Sequence, residues 1–183
     1  MGLLIATGSL LLPGALAECT SEALVAFADT YVSAQESGDP GALENLAGDF
    51  AYIQDNKTAE IADGILSTAL VIDHRRTFVD PIDCATFTEI VVTGDDSPAG
   101  DAPYVIGTQI RHNPEDMTSY LIDSIVSTTG HWLFNATGTL YWINRETWDP
   151  IPEDARDTRE LLKNAADAYL SMWDNATAAD AVP

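Results

Sequence analysis

The chain has 183 residues, and its 29 Asp and Glu outweigh 8 Lys and Arg to leave a formal net charge of −21. Phosphate recognition needs a cationic patch, so the charge disfavours a nucleic acid or an anionic membrane as partner, and the acidity reads as a solvated surface. Only three histidines and two cysteines are present for acid–base, thiol or metal chemistry.

The first seventeen residues, MGLLIATGSLLLPGALA, combine an apolar run from Leu3 to Leu12 with a small-x-small site at Ala15-Leu16-Ala17. This is the pattern of a secretory signal peptide, shorter than the roughly 18 residues a bilayer span requires. No later stretch approaches membrane length. Residues 18–183 are then expected to form one domain, secreted or held in the lumen of the secretory pathway. In that compartment Cys19 and Cys84 are expected to pair as a disulfide, the alternative being two buried free thiols. Three sequons, at Asn56, Asn135 and Asn175, mark candidate glycosylation sites.

From Ser21 to about Gln35, Leu24, Phe27, Ala28, Tyr31 and Val32 recur at helical spacing behind an N-cap at Thr20 or Ser21. Gly38-Asp39-Pro40-Gly41 ends that helix, and Asp39 with Pro40 predicts a short second one running to Gly48. Residues 49–54 alternate as a strand, and 61–70 predict another short helix. Beyond Ile72 the period changes to two. Strands are expected at 72–79, 85–93, 103–112, 118–127, 131–135 and 139–143, with a loop at 94–101 and a turn at Thr129-Gly130. The acidic loop lacks the spacing of a calcium site. A last helix is expected over about 157–174, capped at Asp157 with Glu160 three residues on. Helices followed by a run of strands predict an α+β fold with a mainly antiparallel sheet. The phrase Leu24-x-x-x-Ala28-Asp29-x-Tyr31-x-Ser33 recurs as Leu162-x-x-x-Ala166-Asp167-x-Tyr169-x-Ser171. That echo marks either the start of a second, truncated copy or ordinary helical composition.

The segment Ile72-Asp73-His74-Arg75-Arg76 concentrates what chemistry the chain has. Strand alternation puts His74 and Arg76 on one face and Asp73 and Arg75 on the other, so a titratable imidazole stands near a fixed positive charge. The competing reading is structural: a hydrogen-bonded histidine and an Arg76–carboxylate pair. Asp123 falls either on an apolar face beside Leu121 and Ile125, where burial would raise its pKa, or on the solvated one. Tyr52, Gln109, Tyr141 and Trp142 are candidate pocket-lining groups, able to support a carbonyl or oxyanion. His112 and His131 are expected to be exposed. The histidines are dispersed and no metal or nucleotide motif is present, so no cofactor is expected.

The opening helix, the Gly38-Asp39-Pro40-Gly41-Ala42-Leu43 segment and the strand Phe50-Ala51-Tyr52-Ile53 resemble SnoaL-like, ketosteroid-isomerase-like domains of the nuclear-transport-factor-2-like cone fold. Ile72-Asp73-His74, Cys84-Ala85-Thr86-Phe87, Tyr104-Val105-Ile106-Gly107-Thr108-Gln109, Ile122-Asp123-Ser124-Ile125-Val126 and Trp132-Leu133-Phe134-Asn135 resemble a secreted fungal domain family of unknown function. The resemblance implies helices packed on a curved sheet around a pocket. It also implies a cofactor-independent isomerase or cyclase acting on a small apolar metabolite of fungal secondary metabolism, with His74 or Asp123 moving a proton and Arg76 holding an oxyanion. A homodimer is implied as well. The alternative is a non-catalytic secreted glycoprotein that binds a small ligand or a protein.

Overall fold

The computed structural model describes residues 19–94 and 102–174. The expected signal sequence, the tip of the 94–101 loop and the Asn175 sequon lie outside the described residues. Contacts divide the chain into two compact units, Met1–Arg145 and Glu146–Pro183.

In the first unit, α1 (Ser21–Ser37) starts where Thr20 accepts a hydrogen bond from the Ala23 amide at 3.1 Å, as the N-cap residue predicted. It ends at Gly38, whose φ of 66° is the left-handed conformation that glycine adopts without a Cβ penalty. The stripe Leu24, Ala28, Tyr31 and Val32 is buried. The second helix predicted to reach Gly48 is only a 3-10 turn at Pro40–Ala42, capped by the Asp39 carboxylate. By Leu46 the chain is already paired as β1 (Leu46–Gln54), parallel to the strand that carries Ser119. A helix too short to repay its nucleation yields to the ladder. Asp55 and Asn56, both at positive φ, then turn β1 into β2 (Lys57–Ala59), a hairpin the sequence reading missed.

The helix predicted over 61–70 is replaced by two 3-10 turns, Ile61–Asp63 and Ile65–Ser67, interrupted at Gly64. The buried Gln35 side chain of α1 donates to the carbonyls of Ile65 and Thr68 at 2.9 and 2.8 Å, taking acceptors a continuous helix would use itself. Gly64 is obligatory for a different reason. A Cβ there would stand 2.4–2.7 Å from the ring and hydroxyl of Tyr52.

Four strands follow close to their expected ranges: β3 (His74–Asp80), β4 (Ala85–Val92), β5 (Tyr104–His112) and β6 (Ser119–Thr128). The sheet order is β2-β1-β6-β5-β4-β3, antiparallel except for β1 against β6. The unit is α+β, a mainly antiparallel six-stranded sheet with α1 across one face. The strands expected at 131–135 and 139–143 do not form. The first is a turn, and the second belongs to α2 (Ala136–Ile143). The Asn135 side chain accepts from the Gly138 amide at 2.8 Å, and Ala136, Leu140 and Ile143 meet Val91 and Val105 at i, i+4, i+7 spacing. β-branched composition had masked that spacing.

The core lies between α1 and the sheet, where Ile90, Ile106, Ile110 and Ile122 meet Tyr31, Val32, Tyr52, Leu66 and Leu70. Cys19 and Cys84 form the expected disulfide, which ties the residue preceding the helix cap to the start of β4 across 65 residues of sequence. Met117 Sδ lies 3.7 Å from Cys84 Sγ, a sulfur–sulfur contact since the bridged sulfur carries no proton.

In the second unit, α3 (Arg159–Asp174) begins later than expected, because Thr158 rather than Asp157 accepts from the Leu161 amide at 3.2 Å. Lys163 pairs with Asp167 one turn on. The echo of α1 is not an echo of environment: Leu24 and Tyr31 are buried, whereas Leu162 and Tyr169 are more than half exposed.

The Gly64 contact gives a direct test. Gly64→Ala should destabilise the fold by about 1–3 kcal/mol through overpacking against Tyr52. Gly48→Ala, where nothing lies within 4 Å of the new Cβ, should change stability much less. Equal denaturant midpoints for the two variants would refute the packing role assigned to Gly64.

Candidate functional site

The sheet has two chemically different faces, and strand register assigns each candidate to one of them. Arg75, Thr77 and Val79 of β3 point to the α1 side, where Arg75 pairs with Asp29 of α1. His74, Arg76 and Phe78 point to the other side. Asp123 is level with Phe78 through the row Phe78–Phe87–Gln109–Asp123, so it shares the face of His74 and Arg76. It stands beside Leu121 and Ile125, but the fully buried residues of β6 are Ile122, Ser124 and Val126 on the α1 side, closer to the reading that set Asp123 on the outer face, where it is only partly buried.

On the α1 side, a single cross-strand row reads Thr77, Thr88, Thr108, Ser124 and Gln54. Thr77 and Thr88 bond at 3.0 Å, and Thr108 and Ser124 at 2.9 Å. The Tyr31 hydroxyl bonds Thr108 at 2.7 Å. Tyr52 donates to the Gln54 carbonyl oxygen at 2.8 Å, and the same oxygen accepts from the Ile65 amide. Burial pushes the Tyr31 phenol up to about 12, against the opposing effect of the Thr108 hydroxyl. Burial also raises Tyr52. Both phenols are thus protonated and engaged at neutral pH. Among the described residues the hydroxyl row itself holds no carboxylate or imidazole; the imidazole buried on this side, His112, stands at the end of β5 under Phe27 of α1.

The opposite face holds the charged candidates, but apart. β3 and β6 are three strand spacings away from each other, roughly 14 Å. Asp123 is in addition one side-chain row away from Arg76 and two from His74. Arg76 lies 4.0 Å from Glu89, directly opposite on β4. His74 is held neutral by burial, with Arg76 lowering its pKa further and Glu89 opposing. Its Nε2 and the Oδ1 of Asp123 are buried without a hydrogen-bond partner. They share a face and not a pocket.

What that face does form is a cleft of about 210 Å³ lined by Phe78, Asp80, Asp83, Phe87, Gln109 and Arg111, among others. Gln109 accepts from Arg111 Nε at 3.1 Å. The Phe87 ring lies over Gly107, where a Cβ would approach its Cζ to 2.9 Å. Of the predicted pocket residues only Gln109 lines this cleft. Tyr52 is buried on the α1 side, and Tyr141 and Trp142 are exposed on α2.

His112, expected to be exposed, is 1 % exposed. Its Nδ1 bonds the Ser119 hydroxyl at 2.9 Å, the Phe27 ring packs edge-on at 4.6 Å, and Nε2 has no partner. The neighbouring Asn-Pro had suggested an open strand end. Instead the turn through Met117 folds back, Asn113 pairing with Thr118, and α1 covers the imidazole. His131 is exposed, as expected. The hydroxyl row was legible in part as Thr and Ser within strands, but nothing in one strand reveals that four others match its level.

No protein-family profile and no curated protein matches the chain. Among solved structures, it is similar to AclR of Streptomyces galilaeus, described provisionally as a hydroxylase, with 11 % identity and a TM-score of 0.42 over 73 % of this chain and 91 % of that one. It is similar also to an NTF2-like protein of unknown function from Shewanella baltica OS155, with 13 % identity and a TM-score of 0.37 over 58 % and 91 %. A DUF4783 family protein from Bacteroides uniformis gives 14 % and 0.35 over 56 % and 97 %. At that level of likeness nothing about a reaction or a ligand transfers.

Burial lowers the pKa of His112, with the Met117 backbone opposing. A histidine whose folded pKa lies below its unfolded value stabilises the fold fully above pH 6.5, and that contribution is lost as pH falls through the window below it. Wild type should therefore lose stability from pH 7 to pH 5 more steeply than His112→Gln, whatever their difference at pH 8. Parallel pH profiles in denaturant unfolding would show that His112 does not titrate differently in the two states.

Proposed function

We propose that this chain is a secreted, disulfide-tied binding domain that holds a small ligand, or one side chain of a protein partner, without transforming it. The observation that carries this reading is the separation of the candidates from any enclosed space. The α1 side of the sheet is filled by apolar side chains and hydrogen-bonded hydroxyls. On the other face, Asp123 of β6 lies three strands away from His74 and Arg76 of β3, too far to act with them on one small molecule.

The cleft on that face suits binding. Phe78 and Phe87 supply aromatic surface, Gln109 an amide and Arg111 a fixed cation for a carboxylate or carbonyl oxygen. Its volume is below the roughly 300–1,000 Å³ of ordinary ligand sites, so the occupant is a small or partly inserted group. A carboxylate-bearing aromatic or aliphatic group satisfies both the ring surface and the cation. Glycans at Asn56 and Asn135 would belong to the same secretory setting. Asn56 sits at the tip of the hairpin between β1 and β2, exposed and open to modification.

The cofactor-independent isomerase or cyclase is the competing reading, and one experiment separates the two. Purified protein is incubated with an extract of the producing organism, re-isolated, and its bound small molecules identified by mass spectrometry. The expected result is a compound recovered with unchanged structure by wild type and lost by Arg111→Ala and Phe87→Ala. Appearance of a new product that requires His74 or Asp123 would replace binding with catalysis.

A further inference from the structure

Two cross-strand rows run through the cleft on the outer face, and their side chains are sorted by kind. One row is Asp80, Ala85 and Arg111, on β3, β4 and β5; the other, two residues along, is Phe78, Phe87 and Gln109. All of them line the cleft, together with Asp83 of the turn between β3 and β4. An acid and a base therefore stand on either side of a buried alanine, with two rings and an amide alongside. Local hydrogen bonds hold each charged group. Asp80 Oδ1 accepts from the Ile82 and Asp83 amides at 3.1 and 3.2 Å, which sets that carboxylate at the head of the turn. An ionised carboxylate has about four acceptor sites, so it can serve the turn and a ligand together. Arg111 is tied to its own strand, where its Nε donates to Gln109 Oε1 at 3.1 Å. Two strand spacings, about 10 Å, separate the backbones that carry the acid and the base. Side chains stand roughly perpendicular to a sheet, so a gap of that order persists at the level of a ligand.

We propose that the cleft is a site for a free α-amino acid with an apolar side chain. Its ammonium meets Asp80 and Asp83, its carboxylate meets Arg111 and the Gln109 amide, and its side chain lies against Phe78 and Phe87. The inference rests on the reading of this cleft as the binding site, and it narrows the occupant from a carboxylate-bearing group to a zwitterion. Length fits. An α-amino acid with a charge-assisted hydrogen bond at each end spans about 9 Å, which a dipeptide would overreach. A space of about 210 Å³ likewise suits one amino acid better than a peptide. Charge separates the zwitterion from a simple ion. A lone carboxylate would enter against the field of a chain at −21, past the carboxylates of Asp80 and Asp83. A lone ammonium would leave Arg111 without a counter-charge and stand close to a like one. A zwitterion has no net charge to be repelled, and it meets each fixed group with the opposite sign.

The test is calorimetric titration of the full mature chain, disulfide intact, with L-phenylalanine, L-leucine, phenylpropionate and phenethylamine. At least one of the two amino acids is expected to bind about tenfold or more tightly than either single-charge analogue. Asp80→Asn keeps the Oδ1 that the turn amides use and removes the charge. It should weaken amino-acid binding about tenfold and leave phenylpropionate binding equal or tighter. Arg111→Gln should weaken both. The ligand series on wild type decides the matter even where a variant fails to fold. Phenylpropionate binding as tightly as phenylalanine, with Arg111 required, overturns the zwitterion and leaves the carboxylate reading of the cleft standing. Phenethylamine binding as tightly, with Arg111 dispensable, overturns both. Silence of all four ligands at millimolar concentration overturns the amino acid, and the compound recovered from extract then decides the reading of the cleft on its own.

Discussion

The hydrogen bond from the Tyr31 hydroxyl to Thr108 governs how the first unit is built. It places a helix on the sheet through a polar group in the middle of an apolar interface, and a buried polar group without a partner is costly enough to force the arrangement around it. Thr108 in turn meets Ser124, and Ser124, Thr88 and Thr77 continue the row. Hydroxyls can donate and accept by rotation alone, so such a row satisfies itself without a charge. The helix is thereby fixed in register over the strands, and the space between them is closed and neutral. The space between helix and sheet serves the unit's own cohesion.

Much of the fold was legible because periodicity is a local property. α1 announced itself by a stripe and a cap, and β3 to β6 by alternation, which the burial of β5 and of the middle of β6 reproduces. The failures occurred where a partner far away in sequence decided the outcome. Residues 61–70 look helical until Gln35 takes the carbonyls of Ile65 and Thr68. Residues 139–143 look like a strand until Asn135 caps the segment and Val91 offers a surface for Ala136 and Ile143. α1 and α3 sharpen the point. Their shared phrase specifies a helix and its apolar side in both, yet it cannot specify what that side meets: Leu24 and Tyr31 are buried, Leu162 and Tyr169 are not.

The candidate site was legible to the same limited depth. Alternation correctly paired His74 with Arg76 and set Arg75 apart, since that is a property of one strand. Whether Asp123 joined them depended on the pairing of four strands, which no single segment encodes. The answer, the same face but strands apart, could come only from the ladder. His112 was misjudged for a related reason. A polar residue at a strand end before Asn-Pro is ordinarily wet, and it is dry here because Phe27 and the Met117 turn close over it.

Charge economy links these observations. With so few cations, four of the five described in the first unit are matched locally, Arg75 with Asp29, Arg76 beside Glu89, Arg111 with Gln109 and Arg145 over Tyr141, while Lys57 is exposed on β2. The exposed pair among them, Arg75 with Asp29, adds little to stability, on the order of 0–1 kcal/mol. Their consequence is rather one of distribution. Residues 124–145 carry none of the 29 Asp and Glu, so the acidity falls on the rest of the chain, where exposed apolar side chains such as Ile82 and Phe87 stand among carboxylates such as Asp80 and Asp83.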